Sequence, residues 1–317
     1  MAADAAPLVE TADAPIPEGA RGLWYEGSGG VRLRAALAPA LGAQRGSVIV
    51  SPGRTEPIEK YFEVMGELQA RGFVVLLHDW RGQGLSHRLL EDRLKGHAEG
   101  HGDFLEDFKR LLAVCEPDLP RPWIALGHSM GGALTALSLA QGEARFAAAL
   151  LSAPMMGLTA VRYLPQGAKM IARVAQGLGR SGHYVMKDGF DPMLGPFSGN
   201  ILTHDERRYE RYRAQLAACP DLALGGVTWG WLAFALAAGL ELARPAAAKA
   251  VALPLTVVAA GEDQLVLNDP SRGYAQRAPQ GRYVEIAGAY HEVLMETDAR
   301  RALVWGAFDD LLVRAGI

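Results

Sequence analysis

The sequence predicts an α/β fold in which a mostly parallel central sheet is flanked by helices and carries a helical insertion. Short apolar runs alternate with longer amphipathic stretches along most of the 317 residues. Strands that alternate with helices require crossover connections, which make neighbouring strands parallel. The alternation stops between about residues 154 and 254, where Gly- and Pro-broken pieces and helical patterns replace the apolar runs.

The predicted strands are short apolar runs bounded by turn residues. They span residues 31–37, 47–51, 73–78, 123–126, 146–151, 255–260 and 282–286. The predicted core helices span residues 58–71, 103–115, 132–140 and 298–313. We therefore expect a loose N-terminal arm over residues 1–20, a core made of residues 21–153 and 251–317, and a helical cap over residues 154–250.

The composition is that of a globular chain with a large core, since 50% of the residues are hydrophobic and 21% are charged. The net charge of -3 does not favour nucleic acid, which usually needs a basic face. The first 20 residues lack the basic start and apolar centre of a secretory signal. The isolated thiols of Cys115 and Cys219 suit a reducing compartment, so we expect a cytoplasmic protein.

The longest uncharged stretch, residues 222–240, is near the length of a membrane span. Its glycines, and the part of it that precedes the predicted helix, favour a buried or groove-lining helix over a membrane span. Trp229, Trp231 and Phe234 are spaced for one side of that helix. These side chains either pack in the core or line a groove for an acyl chain.

Ser129 lies in a Gly-x-Ser-x-Gly motif between a predicted strand and a predicted helix. This context is typical of a nucleophile elbow, where a strained turn presents the hydroxyl and its neighbours must be small. Gly127, Gly131 and Gly132 satisfy that requirement. The N–H groups at the start of the helix can also stabilise an oxyanion. A tight turn with an incidental serine is the alternative interpretation.

A serine hydroxyl is a weak nucleophile at neutral pH and needs a base and an orienting acid. His291 follows the predicted strand at 282–286 and is the candidate base. Asp263 follows the strand at 255–260 and is the candidate acid, preferred to Glu262. The order Ser, Asp, His is that of α/β-hydrolases. The alternatives are a surface histidine and an acidic pair that only caps a helix.

An oxyanion hole needs two N–H donors, one of them directly after the nucleophile and one from the loop after an early strand. Met130 is in the first of these positions. The loop after the strand at 47–51 offers Gly53, which lets the backbone approach closely, and the N–H of Arg54. We expect Arg54 and Met130 to donate to the oxyanion.

Six segments together resemble the lysophospholipase and monoacylglycerol lipase group of α/β-hydrolases, and within it the bacterial lysophospholipase L2 type: SPGRTEPIEKY, HDWRGQGLSHR, LGHSMGG, LLSAPMMG, GEDQLV and GAYHEVLME. The resemblance extends from about Gly22 to the C-terminus and is more specific for fold and triad than for substrate. It implies a cap over the active site, an acyl pocket, carboxylester hydrolysis and no cofactor. It also supports the triad and the two backbone donors chosen above.

One position departs from that family. Its members usually carry His-Gly in the oxyanion loop, whereas this chain has Pro52-Gly53. The change leaves a main-chain donor at Arg54 in place, but any contact made by the histidine side chain is lost.

Three other patterns are interpreted as structural. His87, His97 and His101 form a polar loop rather than a metal site, because the nearby glycines argue against a regular helix. The segment RGQGLS lacks the spacing of a phosphate-binding loop and is interpreted as a sharp turn. The mixed charges of residues 204–213 predict a solvated helix face, with contact to lipid headgroups as the minor alternative.

These observations predict a serine hydrolase that cleaves carboxylic esters of single-chain lipids, either lysophospholipids or monoacylglycerols, through an acyl-enzyme. A serine peptidase or amidase, a general small-ester esterase, and a non-catalytic binding protein are the alternatives. We expect a small lipid ester as partner, and no nucleic acid, metal or other cofactor. The cap could touch the inner face of a membrane transiently, although no anchor is visible. Acyl-chain length, headgroup and oligomeric state stay open.

Overall fold

The computed structural model describes residues 4–163, 165–186 and 195–317. Within them one nine-stranded sheet has the order β1-β2-β3-β5-β4-β6-β7-β8-β9. The pairs β1–β2, β2–β3 and β3–β5 are antiparallel and the other five pairs are parallel. The strands are Ala5–Ala6 (β1), Arg21–Glu26 (β2), Arg32–Ala38 (β3), Gly46–Ser51 (β4), Phe73–His78 (β5), Trp123–His128 (β6), Phe146–Ser152 (β7), Leu255–Ala260 (β8) and Gly281–Ile286 (β9).

Helices cover both faces of this sheet, and others form the insertion between β7 and β8. The helices among the described residues are Phe62–Ala70 (α1), Gly102–Cys115 (α2), Ser129–Ala140 (α3), Pro165–Gly177 (α4), Glu206–Ala218 (α5), Trp229–Leu242 (α6), Pro245–Lys249 (α7), Asn268–Arg277 (α8) and Asp298–Ala315 (α9). Helices α1 and α9 pack on one face, and α2, α3 and α8 on the other. Strand β4 shows the separation, because Val48 and Val50 pack with the first group and Ile49 with the second. The mostly parallel sheet flanked by helices is therefore as predicted.

Two elements of the core, β2 and α8, were not predicted from the sequence. Strand β2 fully buries only Leu23 and Tyr25, so its alternation is short and easily overlooked. Helix α8 buries Ser271, Tyr274 and Ala275 and is otherwise polar, so it lacks a continuous apolar stripe. The predicted helix at 58–71 begins instead with a 3-10 turn, Ile58–Tyr61, before α1.

The N-terminal segment differs from the expected loose arm. Strand β1 pairs with β2, and Ala14 is buried. The physical reason is Arg34 on β3, whose fully buried guanidinium needs acceptors for all of its N–H groups. It binds Glu59 through two hydrogen bonds of 2.7 and 2.8 Å and Asp79 at 2.7 Å, and it donates to the carbonyl of Pro7 at 3.0 Å. From Asp4 onward the segment therefore packs on the core, although most of its residues stay partly or fully exposed.

Along the chain, helices α4 to α7 lie between the end of β7 and the start of β8, in the segment predicted as the cap. In its described residues this segment forms no named strand, only isolated bridges such as Tyr184 with Thr228. Helix α6 packs Phe234 against Phe104 of the core. Residues 222–228 precede α6, and none of the helices among the described residues is long and apolar enough to cross a membrane.

Helix α5 has the predicted solvated face on one side only. On that side Glu206, Arg207 and Arg213 are exposed. On the other side Arg208 is buried and pairs with Glu63 of α1 at 2.7 Å, and it also pairs with acidic side chains that flank α5 and begin α9. Charge alone does not distinguish a solvated face from an ion-paired interface.

Candidate active site

Ser129 lies at the junction of β6 and α3 in a strained backbone conformation, with a positive φ of 49°. The glycines around it permit this turn. A Cβ atom on Gly127 would lie 2.8 Å from the Cα atom of Gly132. A Cβ atom on Gly131 would lie 2.1 Å from the carbonyl oxygen of Ser51. The first turn of α3 therefore fits against the end of β4 only without side chains at these positions, as the predicted elbow requires.

The carboxyl ends of β6, β8 and β9 bring the three predicted triad residues together. The Oγ atom of Ser129 lies 2.9 Å from Nε2 of His291. The Nδ1 atom of His291 lies 2.7 Å from Oδ2 of Asp263. The other oxygen of Asp263 accepts the N–H groups of Leu265 at 2.8 Å and Val266 at 2.9 Å, which fix the carboxylate. This geometry allows His291 to take a proton from Ser129 while Asp263 orients the imidazole.

The electrostatics of the pair suit that role. Burial by itself lowers the pKa of His291, but the charge of Asp263 and its hydrogen bond outweigh burial and raise the pKa above the ordinary value. Glu292 and Glu56 raise it further. Burial raises the pKa of Asp263, yet the charge and hydrogen bond of His291 and two backbone N–H groups bring it below the ordinary value. Asp263 is therefore ionised and stabilises a charged imidazole.

The two predicted oxyanion donors flank the nucleophile. Met130 is in the first turn of α3, where backbone N–H groups have no acceptor within the helix. Arg54 lines the same cavity as Ser129 and His291. A Cβ atom on Gly53 would lie 3.1 Å from the Cβ atom of Ser129, so a glycine here allows the loop to approach the nucleophile closely.

A buried charged cluster beside the triad was missed from the sequence. Lys60 forms a short ion pair with Glu292 and lies 3.2 Å from Glu56. His128 is 3.8 Å from Glu56, and burial, the largest cause, lowers its pKa to about 4. The spacing of Glu56 and Lys60, four residues apart, is the only sequence signal. Their partner Glu292 is far away in the chain, so the cluster is formed by the tertiary structure.

A cavity of about 460 Å³ opens onto Ser129 and His291. Its polar end is formed by Glu56, His128 and Glu292. The rest of its wall is mostly apolar and comes largely from the cap and from the loops after β7 and β8, with Met155, Leu158, Ala160, Val161, Val185, Met186, Val227, Trp231, Leu232, Leu265 and Val266. One polar end and a long apolar wall are typical of a site for an amphipathic ligand.

The three aromatic residues predicted for one side of α6 are divided between two environments. Trp231 lines the cavity, as one of the two alternatives expected. Phe234 instead packs in the core, with its ring centroid 5.1 Å from that of Phe104. Trp229 is half-buried and does not belong to the described residues that line the cavity. Trp231 and Phe234, three residues apart, are neighbours on α6, with ring centroids 6.1 Å apart, whereas Trp229 lies two residues before Trp231 and points to a different side. Of the two alternatives, cavity lining therefore applies to Trp231 and core packing to Phe234.

Two of the histidines in the loop at 87–101 have structural partners. Nδ1 of His97 lies 2.8 Å from the hydroxyl of Thr228, which caps the start of α6. Nε2 of His101 lies 3.2 Å from Glu241. The described residues contain no group of three or more His, Cys, Asp or Glu side chains placed to hold a metal ion.

Comparison with known proteins identifies the family of this chain and several of its relatives. Residues 42–298 match the model of the family described as serine aminopeptidase, S33 (Hydrolase_4). Lysophospholipase L2 of Escherichia coli (strain K12) is 35% identical over 283 residues, which cover 84% of this chain and 80% of that protein. Monoacylglycerol lipase of Mycolicibacterium smegmatis is 28% identical over 282 residues, which cover 88% of this chain and 92% of that protein.

Solved structures share the fold. A soluble variant of monoglyceride lipase from Saccharomyces cerevisiae, in complex with a substrate analog, superposes with a TM-score of 0.72 at 20% identity, covering 98% of this chain and 99% of that chain. Monoacylglycerol lipase of Paleococcus ferrophilus superposes with a TM-score of 0.67 at 19% identity, covering 87% and 98%. The predicted resemblance is confirmed: the chain has the α/β-hydrolase fold and belongs to the serine aminopeptidase S33 (Hydrolase_4) family.

Proposed function

We propose that this protein is a serine hydrolase that cleaves the carboxylic esters of single-chain lipids, either lysophospholipids or monoacylglycerols. The observation that carries the proposal is a Ser–His–Asp arrangement that opens into a cavity with one polar end and a long apolar wall. The relatives named lysophospholipase L2 and monoacylglycerol lipase support this substrate class.

The reaction follows from the positions of the atoms. Ser129 attacks the ester carbonyl while His291 takes its proton, and the N–H groups of Arg54 and Met130 stabilise the oxyanion. His291 then gives the proton to the leaving alcohol oxygen as the carbon–oxygen bond breaks. Water, deprotonated by the same imidazole, attacks the acyl-enzyme and releases the fatty acid and free Ser129. Asp263 stays ionised throughout and stabilises the imidazolium.

The two ends of the cavity suggest how the lipid lies. An acyl chain that lies along the apolar wall would bury its hydrocarbon surface. This burial favours binding by about 25 cal/mol per Å². The headgroup alcohol would then lie beside Glu56, His128 and Glu292, which can exchange hydrogen bonds with hydroxyl groups. An acyl chain suits this cavity because most of its described lining residues are apolar.

Three alternatives differ in their substrates. A peptidase or amidase would use the same triad, and the description of the matched family names a serine aminopeptidase. A small-ester esterase would not need the long apolar wall. A non-catalytic binding protein would not need a hydrogen-bonded Ser129 and His291. The apolar wall therefore favours a lipid ester among the four.

The test is acyl release from a monoacylglycerol, a lysophosphatidylcholine, p-nitrophenyl butyrate and a matched aminoacyl amide. We expect the long-chain lipids to have the highest kcat/KM, and Ser129→Ala to lower it about 10⁴-fold or more. Ser138→Ala, on the same helix α3, is the matched control. Higher kcat/KM on the amide than on the esters, or full activity of Ser129→Ala, would contradict the proposal.

We also propose that the cap touches a membrane surface transiently, from the cytoplasmic side. Helix α4 and the residue after it expose Met170, Ile171, Val174 and Leu178, each more than half accessible, while Ala172 and Ala175 face inward. Arg173 and Arg180 are exposed in the same segment, and cationic residues beside an apolar face favour an anionic lipid surface. Cys115 and Cys219 are both free thiols, which supports a reducing compartment.

A further inference from the structure

The loop after β4 holds the Arg54 donor in an unusual backbone conformation. Thr55, the next residue, has a positive φ of 65° although it carries a β-branched side chain. Such a residue persists only where its surroundings hold it in place. Side chains around the loop must therefore fix the Arg54 N–H.

Side chains hold four consecutive peptide units of this loop. Trp80 Nε1 donates to the carbonyl of Pro52 at 2.8 Å, and the N–H of Gly53 donates to Glu56 at 2.6 Å. The next peptide unit contains both the carbonyl of Gly53 and the N–H of Arg54. Its carbonyl accepts a longer hydrogen bond, at 3.4 Å, from Nε2 of Gln83.

Of the two peptide units that follow Arg54, one is held by a side chain of the core and the other by a side chain of the cap. The N–H of Thr55 donates to Oε1 of Gln83 at 2.7 Å, so one amide side chain contacts both units that adjoin Arg54. The carbonyl of Thr55 accepts a short hydrogen bond from the hydroxyl of Tyr212. Gln83 comes from the glycine-rich turn after β5, whereas Tyr212 comes from helix α5 of the cap.

Tyr212 is itself firmly placed. Its side chain is buried, and the ammonium group of Lys60 lies 4.5 Å from the centre of its ring. Helix α5 is also fixed to the core by Gln215, whose amide donates to the carbonyl of Glu59 at 2.8 Å, and by the ion pairs of Arg208. A rigid helix of the cap thus delivers a hydroxyl group to the residue that follows the proposed oxyanion donor.

We infer that Gln83 and Tyr212 are positioning residues that aim the Arg54 N–H at the oxyanion, so that the cap contributes to catalysis as well as to substrate binding. The inference rests on the proposed use of Ser129 as the nucleophile. It does not depend on which ester is the substrate. Because the oxyanion forms only in the transition state, loss of this support should lower kcat and leave KM unchanged.

The experiment compares Tyr212→Phe and Gln83→Met with wild-type protein on p-nitrophenyl butyrate and on a long-chain monoacylglycerol. Tyr209→Phe and Gln69→Met are the matched controls. Tyr209 is on the same helix, but its hydroxyl donates to the carbonyl of Gly195. Gln69 is a buried amide like Gln83, but it donates to the carbonyls of Glu18 and Pro39 and not to the loop after β4. Inhibition by a trifluoromethyl ketone, whose adduct carries an oxyanion, is measured in parallel with the midpoint of thermal unfolding.

We expect Tyr212→Phe to lower kcat about 10- to 100-fold on both esters, because small misplacements of a catalytic group have effects of this size. The Ki of the ketone should rise by the same factor as kcat/KM falls, while both controls stay within about twofold of wild type. Wild-type kcat in Tyr212→Phe, a loss equal to that in the controls, or a change confined to the KM for the lipid would overturn the inference.

The two proposals fail separately. A wild-type protein that hydrolyses only p-nitrophenyl butyrate contradicts the lipid substrate, and the comparison of Tyr212→Phe with Tyr209→Phe on that ester still decides the role of Tyr212. Conversely, rapid lipid hydrolysis that is unaffected by Tyr212→Phe and Gln83→Met contradicts the positioning role alone.

Discussion

The core side and the cap side of the cavity are built on opposite principles. On the core side, Asp263, His291 and Lys60 are buried polar groups, and hydrogen bonds or ion pairs fix their orientation. On the cap side, residues such as Met186 and Leu232 offer apolar surface with no directional contact. The two sides of the cavity therefore suit two different tasks, catalysis and binding of the acyl chain. Fixed charges stabilise one transition state, whereas apolar surface accepts any chain of suitable length.

The same contrast recurs within the cap. Helix α5 is tied to the core by buried polar groups, including Arg208, Tyr212 and Gln215. Helix α4 instead turns Ile171 and Val174 toward solvent. One side of the cap is therefore bound to the core, and the other side is exposed and can contact a membrane surface.

The largest effect expected is on the core side. Asp263→Asn should lower kcat about 10⁴-fold, because the amide can no longer hold the correct tautomer of His291 or stabilise its charge. Glu262→Gln, at the exposed neighbouring position, is the matched control and should stay within about twofold of wild type in kcat. Steady-state hydrolysis of p-nitrophenyl butyrate gives both values. Equal losses in the two variants would show that Asp263 has no special role.

An intermediate effect is expected on the outer side of the cap. The double variant Ile171→Ser and Val174→Ser should bind vesicles of anionic phospholipid about tenfold or more weakly, since burial of each apolar side chain contributes up to about 1.5–3 kcal/mol. Co-sedimentation with the vesicles measures the change.

Helix α9 provides the control for this comparison. Leu303 and Val313 are 57% and 78% exposed but lie on the core, away from the cap. Their double serine variant should bind the same vesicles as strongly as wild type. If both double variants lost binding equally, or neither did, the cap would have no distinct role at the membrane.

The smallest effect concerns the pH dependence of the core side. Catalysis needs neutral His291, so kcat/KM should fall as the pH drops through its pKa, which lies above the ordinary value of 6.5. His128 has a pKa of about 4 and stays neutral across this range. Glu292→Gln removes a charge that raises the pKa of His291, so the acidic limb of the profile should move to lower pH.

Measurement of kcat/KM on p-nitrophenyl butyrate between about pH 5 and pH 9 checks this prediction. Glu296→Gln is the control, because Glu296 binds His204 and does not belong to the described groups that shift the pKa of His291. An unchanged limb in Glu292→Gln, or an equal shift in both variants, would contradict the assignment.

The positions of Ser129, Asp263 and His291 could be predicted because each follows a recognisable strand. The carboxyl ends of parallel strands meet at one edge of the sheet, so local patterns were enough to bring these residues together. The mostly parallel sheet was predictable for the same reason.

The charged cluster of Glu56, Lys60 and Glu292 could not be found in this way. Charged residues are normally exposed, and the burial of these three depends on partners that are distant in the chain. The charged pattern of α5 was misleading for the same reason, since Arg208 is buried by its ion pairs. The packing of the N-terminal segment on the core depends on its contact with the buried Arg34, which no local pattern reveals.

The hydrogen bond between Tyr212 and Thr55 has a consequence for protein engineering. In this chain the cap lines much of the cavity while the core carries Ser129, so the cap is a natural unit for exchange. Here a donor cap that lacks a hydroxyl group at position 212 would change the substrate range and slow the chemical step together. A chimera designed to accept a new substrate must therefore carry over that tyrosine along with the new cavity wall.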